Sequence, residues 1–409
     1  MNKCRALLPL LLAVAGSQTL QARPPDGGAH VQAQDFADEL HPIERLRIQQ
    51  QLQQSLASAA VRAAIAQQQK AAGDLVLLQW PLRSNRMDRP AYHGVSNFVD
   101  HDPAFPSKVR DYVCGARTYD NAGGYNHQGT DYFIWPFPWR KMDDGEVAIV
   151  AAAAGVVVER SDGYADRSCA MSGAPWNAVY VRHADGSVAW YGHMKRGSVA
   201  ALQPGDTIAA GDYLGLVGSS GSSTGPHLHF ELQDAAGRVI DPRHGQCNAA
   251  PDRWLQFQPY EDPVIVQLSL HSAAPVYVNC GMADGAPVSE TTFETGVIAP
   301  GSSFHAFAAY RDHRNGDISQ FSVLRPDGSV FARWDFDLAS AGLQRPFYSA
   351  TSWHWSQQLP ADAPRGYWSL RAEFHGRSYL SEFFVGDATQ ARNAARWREQ
   401  TTAVMPRPR

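Results

Sequence analysis

The sequence predicts a mainly β chain, two β units in succession behind a short amino-terminal helical segment, and three observations carry that reading. From Asp74 to about Gly245 the chain runs in short apolar stretches separated by glycine turns, at 148–159, 178–183, 187–191, 207–209, 214–217 and 228–232, with almost no helical periodicity. Such spacing predicts an antiparallel β core with loops gathered at one end. Beyond Pro263, runs at 304–310, 318–324, 330–336, 367–374 and 379–385 are spaced by turn signals such as Arg325-Pro326-Asp327-Gly328, the pattern of an immunoglobulin-like or fibronectin-like sandwich. Helical spacing is confined to Pro42–Ala72, where Leu52, Leu56, Ala59 and Ala63 recur on one side and Pro42 suits a first helical turn.

The 409 residues, 44% hydrophobic and 19% charged, have room for two or three globular domains. A net charge of −4 leaves no electrostatic footprint for nucleic acid. Lys3 and Arg5, the apolar run Ala6–Ala15 and small residues at Ala13, Ala15 and Ala22 read as a secretory signal peptide, too short to span a bilayer, with cleavage after Ala15 or Ala22. No later stretch is apolar enough to span, so the mature chain is expected to be exported, to the periplasm or the medium. The expected organisation is a signal peptide over 1–22, a helical segment over 23–73, a β domain over 74–250, a sandwich over 262–387 and a basic tail over 388–409. The helical segment reads as a packing element or, alternatively, as a cover over a functional groove that delays activity until it is removed.

The chemistry concentrates in Gly221-Ser222-Ser223-Thr224-Gly225-Pro226-His227-Leu228-His229-Phe230-Glu231-Leu232. A turn runs into an alternating strand with His227, His229 and Glu231 on one face and Leu228, Phe230 and Leu232 on the other; alternate residues of a strand stand roughly 6 to 7 Å apart on one face. Upstream, His127 and Asp131 lie four positions apart around Gly129, a residue that can let the backbone bend sharply. Two imidazoles and a carboxylate are the donor type of a catalytic zinc site, which keeps a further position open for water or substrate. His127, Asp131 and His229 are therefore the expected metal ligands, with His193 and His227 left for acid–base work. Glu231 reads equally as an outer partner of a ligand histidine or as a surface charge. His93, His101, His183 and His244 read as structural.

At these residues the chain resembles the lysostaphin-type zinc metallopeptidases, many of which are peptidoglycan endopeptidases. The resemblance rests on the His-x-x-x-Asp of His127 and Asp131, the Tyr-Gly-His ending at His193, and the Ser-Thr-Gly-Pro-His-Leu-His of Ser223–His229. Val147-Ala148 to Gly155-Val156, and Gly205-Asp206-Thr207 to Gly211, Gly215 and Gly218, follow in the family's order, so about residues 75–245 are covered. The resemblance implies the family's sheet with an open groove, one zinc per chain, and hydrolysis of a peptide bond in peptidoglycan cross-links or stems through a zinc-activated water. An unperturbed imidazole titrates near 6.5, which places the expected optimum at neutral to mildly alkaline pH. Two other readings share the site: an exported protease acting on proteins, and a non-catalytic regulator of another wall hydrolase. The regulator is expected to have lost one of the five site residues, and all five stand in place.

Cys4 falls within the signal, leaving Cys114, Cys169, Cys247 and Cys280, an even number suited to disulfides in an oxidising compartment. Proximity in sequence favours Cys114 with Cys169 and Cys247 with Cys280. Thiolate ligation is the competing reading, but no Cys-x-x-Cys spacing supports it. Trp334, Trp353, Trp355 and Trp368 read as core, with a sugar-stacking platform as the alternative. Arg392, Arg396, Arg398, Arg407 and Arg409 make the carboxy-terminal tail basic, a feature open to attraction by anionic wall polymer.

Overall fold

The structure is a computed structural model; it describes residues 23–31, 40, 42–69, 75–343 and 345–404, so the signal peptide expected over 1–22 lies outside the described residues. Two β layers form the first half. The larger sheet runs in the order His93–Asn97, Thr130–Ile134, His227–Gln233, Val188–Gly192, Ala178–Arg182, Gly155–Ser161 and Thr207–Ile208, and Val239–Ile240 pairs with His227–Gln233. Against one face lies a three-stranded sheet ordered Tyr213–Leu216, Val147–Val150 and Leu82–Ser84. Alternation decides what each face holds: Leu228, Phe230, Leu232, Val179, Val181 and Tyr191 point into the core between the sheets, with Ile149 and Leu214 from the smaller one.

The expected strand over 148–159 is two strands. Ala151 donates its N–H to Asp212 O at 2.9 Å and Ala152 donates to the Tyr191 hydroxyl at 2.8 Å, so the backbone leaves one sheet and enters the other between Val150 and Gly155. The helix expected over 42–72 is likewise divided, into α1 (Pro42–Ala57) and α2 (Ala59–Gln69). Ser58 interrupts it and caps α2, its hydroxyl accepting from Val61 N–H at 3.3 Å. Ile48 and Leu52 of α1, with Leu40, pack on Tyr119, Tyr125, Trp176, Tyr180 and Trp190. That cluster covers the other face of the larger sheet, the face to which His227, His229 and Glu231 belong.

The second half is a two-sheet sandwich. A five-stranded sheet (Val297–Ile298, Arg377–Val385, Gly366–Phe374, Ser319–Leu324, Val330–Phe336) packs on a four-stranded one (Gly27–Val31, Phe347–Gln358, Ser303–Arg314, Val264–His271). Trp334, Trp353, Trp355 and Trp368 are buried in the core between them, which excludes the stacking platform. The segment expected to be helical from residue 23 thus begins with a strand, Gly27–Val31, paired antiparallel to Phe347–Gln358 as an edge of the sandwich. Within the carboxy-terminal tail, Ala388–Val404 is a helix. Phe133, Trp135 and Phe137 meet Val264, Val266, Phe307 and Ala350 in an apolar seam that joins the two halves.

Both disulfides differ from the expected pairing. Cys114 bonds Cys247 and Cys169 bonds Cys280, with Cα atoms 5.2 and 5.5 Å apart. The first closes two loops already joined by backbone, Cys247 N–H donating to Tyr112 O at 2.8 Å. The second ties a loop of the first half to the loop that follows strand Val264–His271 of the sandwich. Proximity in sequence misled because strand order, not chain distance, decides which loops meet.

Candidate metal centre

Strand register builds the site. His227–Gln233 lies between Thr130–Ile134 and Val188–Gly192, and His229 is paired with Asp131 on one side and Gly192 on the other. Asp131 and His229 therefore project side by side from adjacent strands on the same face. Their ligand atoms, with that of His127, lie within 4.8 Å of one another. The His127 Nε2 and His229 Nδ1 atoms stand 3.1 and 3.0 Å from Asp131 Oδ1.

Gly129 matters here for a reason other than a sharp bend. A Cβ at this position would sit 2.6 Å from His229 Cε1 and Nε2 and 2.8 Å from Phe230 O, so only glycine lets the His127–Asp131 segment come so close to the strand.

The outer atom of each ring has its own partner, which fixes where the inner one points. His127 Nδ1 donates to Phe98 O at 2.7 Å, and His229 Nε2 donates to Glu231 Oε2 at 3.4 Å. Asn97 Nδ2 donates to Asp131 Oδ2 at 2.9 Å. With those protons spent outward, neutral His127 and His229 turn Nε2 and Nδ1 lone pairs towards Asp131 Oδ1. Three lone pairs that converge in this way repel one another unless a cation lies among them. The separations suit a single ion, since tetrahedral ligands about 2.1 Å from zinc stand about 3.4 Å apart. The donor set and its outer partners thus fit a divalent metal.

His193 and His227 complete the cluster. Their ring centroids are 4.5 Å apart, and His227 Nε2 lies 3.8 Å from Asp131 Oδ1. His193 Nδ1 donates to Ser220 O at 2.6 Å and His227 Nδ1 to Gly225 O at 2.8 Å, so both rings offer Nε2 for proton transfer. His193 sits in left-handed backbone at φ 59°, a conformation whose cost of order 1–3 kcal/mol persists where the surroundings hold it. All five expected site residues are thus brought together, each no more than 1% exposed. Tyr119 stacks on His127 at 4.7 Å, and Trp176 stands edge-on to His193 at 4.9 Å.

The histidines read as structural lie elsewhere. His183 Nδ1 donates to Ala154 O, His101 Nε2 meets Asp241 Oδ2 at 2.8 Å, and His244 Nδ1 donates to Ala250 O. His93 takes Arg311 Nη1 at 3.0 Å.

Glu231 is an outer partner rather than a surface charge, being 0% exposed. Arg45 of α1 grips it with two parallel hydrogen bonds of 2.8 and 2.9 Å, and Gln233 Nε2 adds a third at 2.5 Å. The Arg45 guanidinium also lies 5.2 Å over the Trp190 ring. Burial pushes the Glu231 carboxyl up, but the Arg45 charge and the His229 N–H outweigh it and hold the group at about 2. Sequence reasoning did not reach Asn97 or Arg45. Neither stands in a motif, and Arg45 is 186 residues from its partner.

Fold and site together describe a β-sheet domain with a His/Asp/His centre suited to a divalent metal. Residues 126–242 match peptidase family M23, in keeping with the lysostaphin-type resemblance of the sequence. The DD-carboxypeptidase/endopeptidase Mpg of Neisseria meningitidis is 41% identical over 66 residues, 16% of this chain and 14% of that protein. Peptidoglycan DD-endopeptidase ShyC of Vibrio cholerae is 30% identical over 106 residues, 26% of this chain and 20% of that protein. The chain therefore spans only about a fifth or less of these curated relatives. Among solved structures, a putative peptidase M23 from Pseudomonas aeruginosa is 20% identical and covers 46% of this chain and 58% of its own, with a TM-score of 0.20.

Proposed function

We propose that this chain is an exported zinc endopeptidase that hydrolyses peptide bonds in peptidoglycan cross-links or stem peptides. The observation that carries the proposal is the convergence of His127, Asp131 and His229 lone pairs on one point, beside two further imidazoles. The activities for which Mpg and ShyC are named support peptidoglycan as the substrate, and the two disulfides suit an oxidising compartment. No helix among the described residues is long and apolar enough to cross a membrane.

Zinc at this site supplies Lewis acidity for a peptide carbonyl and a water nucleophile available near neutral pH. The protein supplies proton handling. One of His193 and His227 accepts the water's proton at Nε2 and returns it to the leaving amine; the other donates a hydrogen bond to the developing oxyanion. The Ser220 and Gly225 carbonyls hold a proton at Nδ1 of both rings, so the ring that accepts the water's proton does so as the neutral imidazole with a lone pair at Nε2, and the ring that donates to the oxyanion does so as the imidazolium, with a second proton at Nε2.

Activity is expected to be latent while α1 stays docked. Site residues no more than 1% exposed have no room for a polymer strand, and α1 occupies their face of the sheet through Ile48, Leu52 and the Arg45–Glu231 pair. The test measures zinc content and release of new amino termini from purified peptidoglycan, comparing the mature chain, His229→Ala, a chelated sample, and Ile48→Asp to loosen α1. Zinc binding with release that vanishes in the first two controls and rises in Ile48→Asp supports both parts. Zinc binding with no release from any sample, Ile48→Asp included, would overturn the peptidoglycan assignment and point to a protein substrate.

A further inference from the structure

A second group of two imidazoles and a carboxylate stands in the sandwich. The ligand atoms of Asp26, His305 and His354 all lie within 4.8 Å of one another. His305 and His354 come from adjacent strands of the four-stranded sheet, and Asp26 directly precedes its edge strand Gly27–Val31. Gly27 is paired with His354, and Asp26 N–H donates to His354 O at 2.9 Å. On the other side His354 is paired with Phe307, and His305 with Ser356, which makes the two histidines diagonal neighbours on one face. Their rings meet edge to face at 5.1 Å.

The surroundings favour a ligand. His354 is only 7% exposed, and among the described residues Nδ1 of both His305 and His354 is buried without a hydrogen bond. Burying ring nitrogens unsatisfied is costly, so such atoms normally find a partner. Asp26 is exposed, with one carboxylate oxygen accepting from Ser356 N–H. A Cβ on Gly27 would lie 2.8 Å from His354 Nε2, so the edge strand passes close beside this ring.

We propose that Asp26, His305 and His354 bind a divalent transition-metal ion of the zinc type, which imidazole and carboxylate donors suit. Binding would cross-link the amino-terminal strand Gly27–Val31 to the two strands beside it. The site is independent of the peptidase centre and of the activity assigned to it.

The test removes the peptidase ligands first. In the full mature chain carrying His127→Ala and His229→Ala, a single equivalent of zinc is expected to remain after competition with a chromogenic chelator. Cobalt(II) is expected to give the visible absorption of a histidine-ligated ion in that background and to raise the melting temperature. Adding Asp26→Asn or His305→Ala, each at a less buried position than His354, should weaken metal binding at least about tenfold while the metal-free protein melts as before. In the otherwise unaltered chain the same substitutions should lower zinc content from two equivalents to one. The proposal fails if the double variant, folded by circular dichroism, takes up neither metal, or if uptake ignores both Asp26→Asn and His305→Ala.

Discussion

The strands His227–Gln233 and Phe347–Gln358 use the same alternation to different ends. In each, large apolar side chains turn into a core while histidine faces the other way: Leu228 and Phe230 against His227 and His229, Trp353 and Trp355 against His354. Each also sets its histidine beside a carboxylate, Asp131 in the strand next to His229 and Asp26 just ahead of the strand next to His354. The difference lies behind the rings. In the peptidase domain Phe98, Ser220, Gly225 and Glu231 hold the outer nitrogens, so the inner ones share one target. Around His305 and His354 no such layer is built among the described residues, and the Nδ1 atoms stay unsatisfied. Alternation brings donor atoms together; a second layer of partners aims them.

The largest effect that separates the two clusters is in turnover. His229→Ala should abolish peptide-bond hydrolysis, a loss of at least about a thousandfold or 4 kcal/mol in the barrier, whereas His305→Ala should leave turnover of loosened protein within about twofold. Release of amino termini from peptidoglycan checks both, and a comparable loss in the two variants would erase the distinction. The disulfides test whether the two halves stand alone. Replacing Cys169 and Cys280 by alanine should cost about 2–5 kcal/mol and, in denaturant unfolding, separate the melting of the halves. Removal of Cys114–Cys247 should destabilise by a similar amount but leave one transition, because that bridge lies within the peptidase half.

The contrast also marks how far the sequence could be read. His127, Asp131, His193, His227 and His229 were legible because each falls in a short motif whose spacing survives folding, and strand alternation told which face they share. The sandwich was legible as a set of spaced strands, but not its edge strand Gly27–Val31, which lies ahead of the whole peptidase domain in sequence. For the same reason Asp26 gave no signal as a partner of His305 and His354. The cysteine pairs failed on the same ground, since loop proximity is set by sheet order. Glu231 stayed ambiguous until Arg45 appeared: a carboxylate at a strand position is a surface charge or a buried one according to what docks on it, and that docking joins residues 186 positions apart.

Arg45→Ala sharpens the question of the second layer. It removes two hydrogen bonds from buried Glu231, which then has Gln233 and His229 to satisfy it. Loss of outer-shell support typically weakens metal binding 10- to 100-fold, about 1.4–2.7 kcal/mol; Arg45→Lys should recover only part of it, because an ammonium cannot repeat the bidentate grip. Chelator competition reads this directly. An unchanged zinc affinity in Arg45→Ala would reduce Arg45 to an anchor for α1.

A further effect concerns pH and falls on a histidine that carries no metal chemistry. Burial holds His313 well down, at about 3, while its Nδ1 shares a hydrogen bond of 2.8 Å with Thr351 Oγ1 and its ring stacks on Tyr310 at 4.2 Å. Its folded value lies below the unfolded one near 6.5, so its contribution to stability is complete above pH 6.5 and declines as pH falls towards 3, by up to about 1.4 kcal/mol per pH unit. Glu290 at the joint between the halves runs the opposite way. Burial raises it to about 7, so the neutral carboxyl it favours stabilises the fold fully below about pH 4.5, and that contribution is lost as pH rises through 7. Between these limits the two slopes oppose each other and the stability profile should be flat. His313→Gln should expose the Glu290 slope as stability that rises on acidification from pH 7 to 4.5, and Glu290→Gln should expose the His313 slope with the reverse sign. Denaturant midpoints measured across that range separate the two, and parallel profiles in both variants would show that neither group titrates as its burial requires.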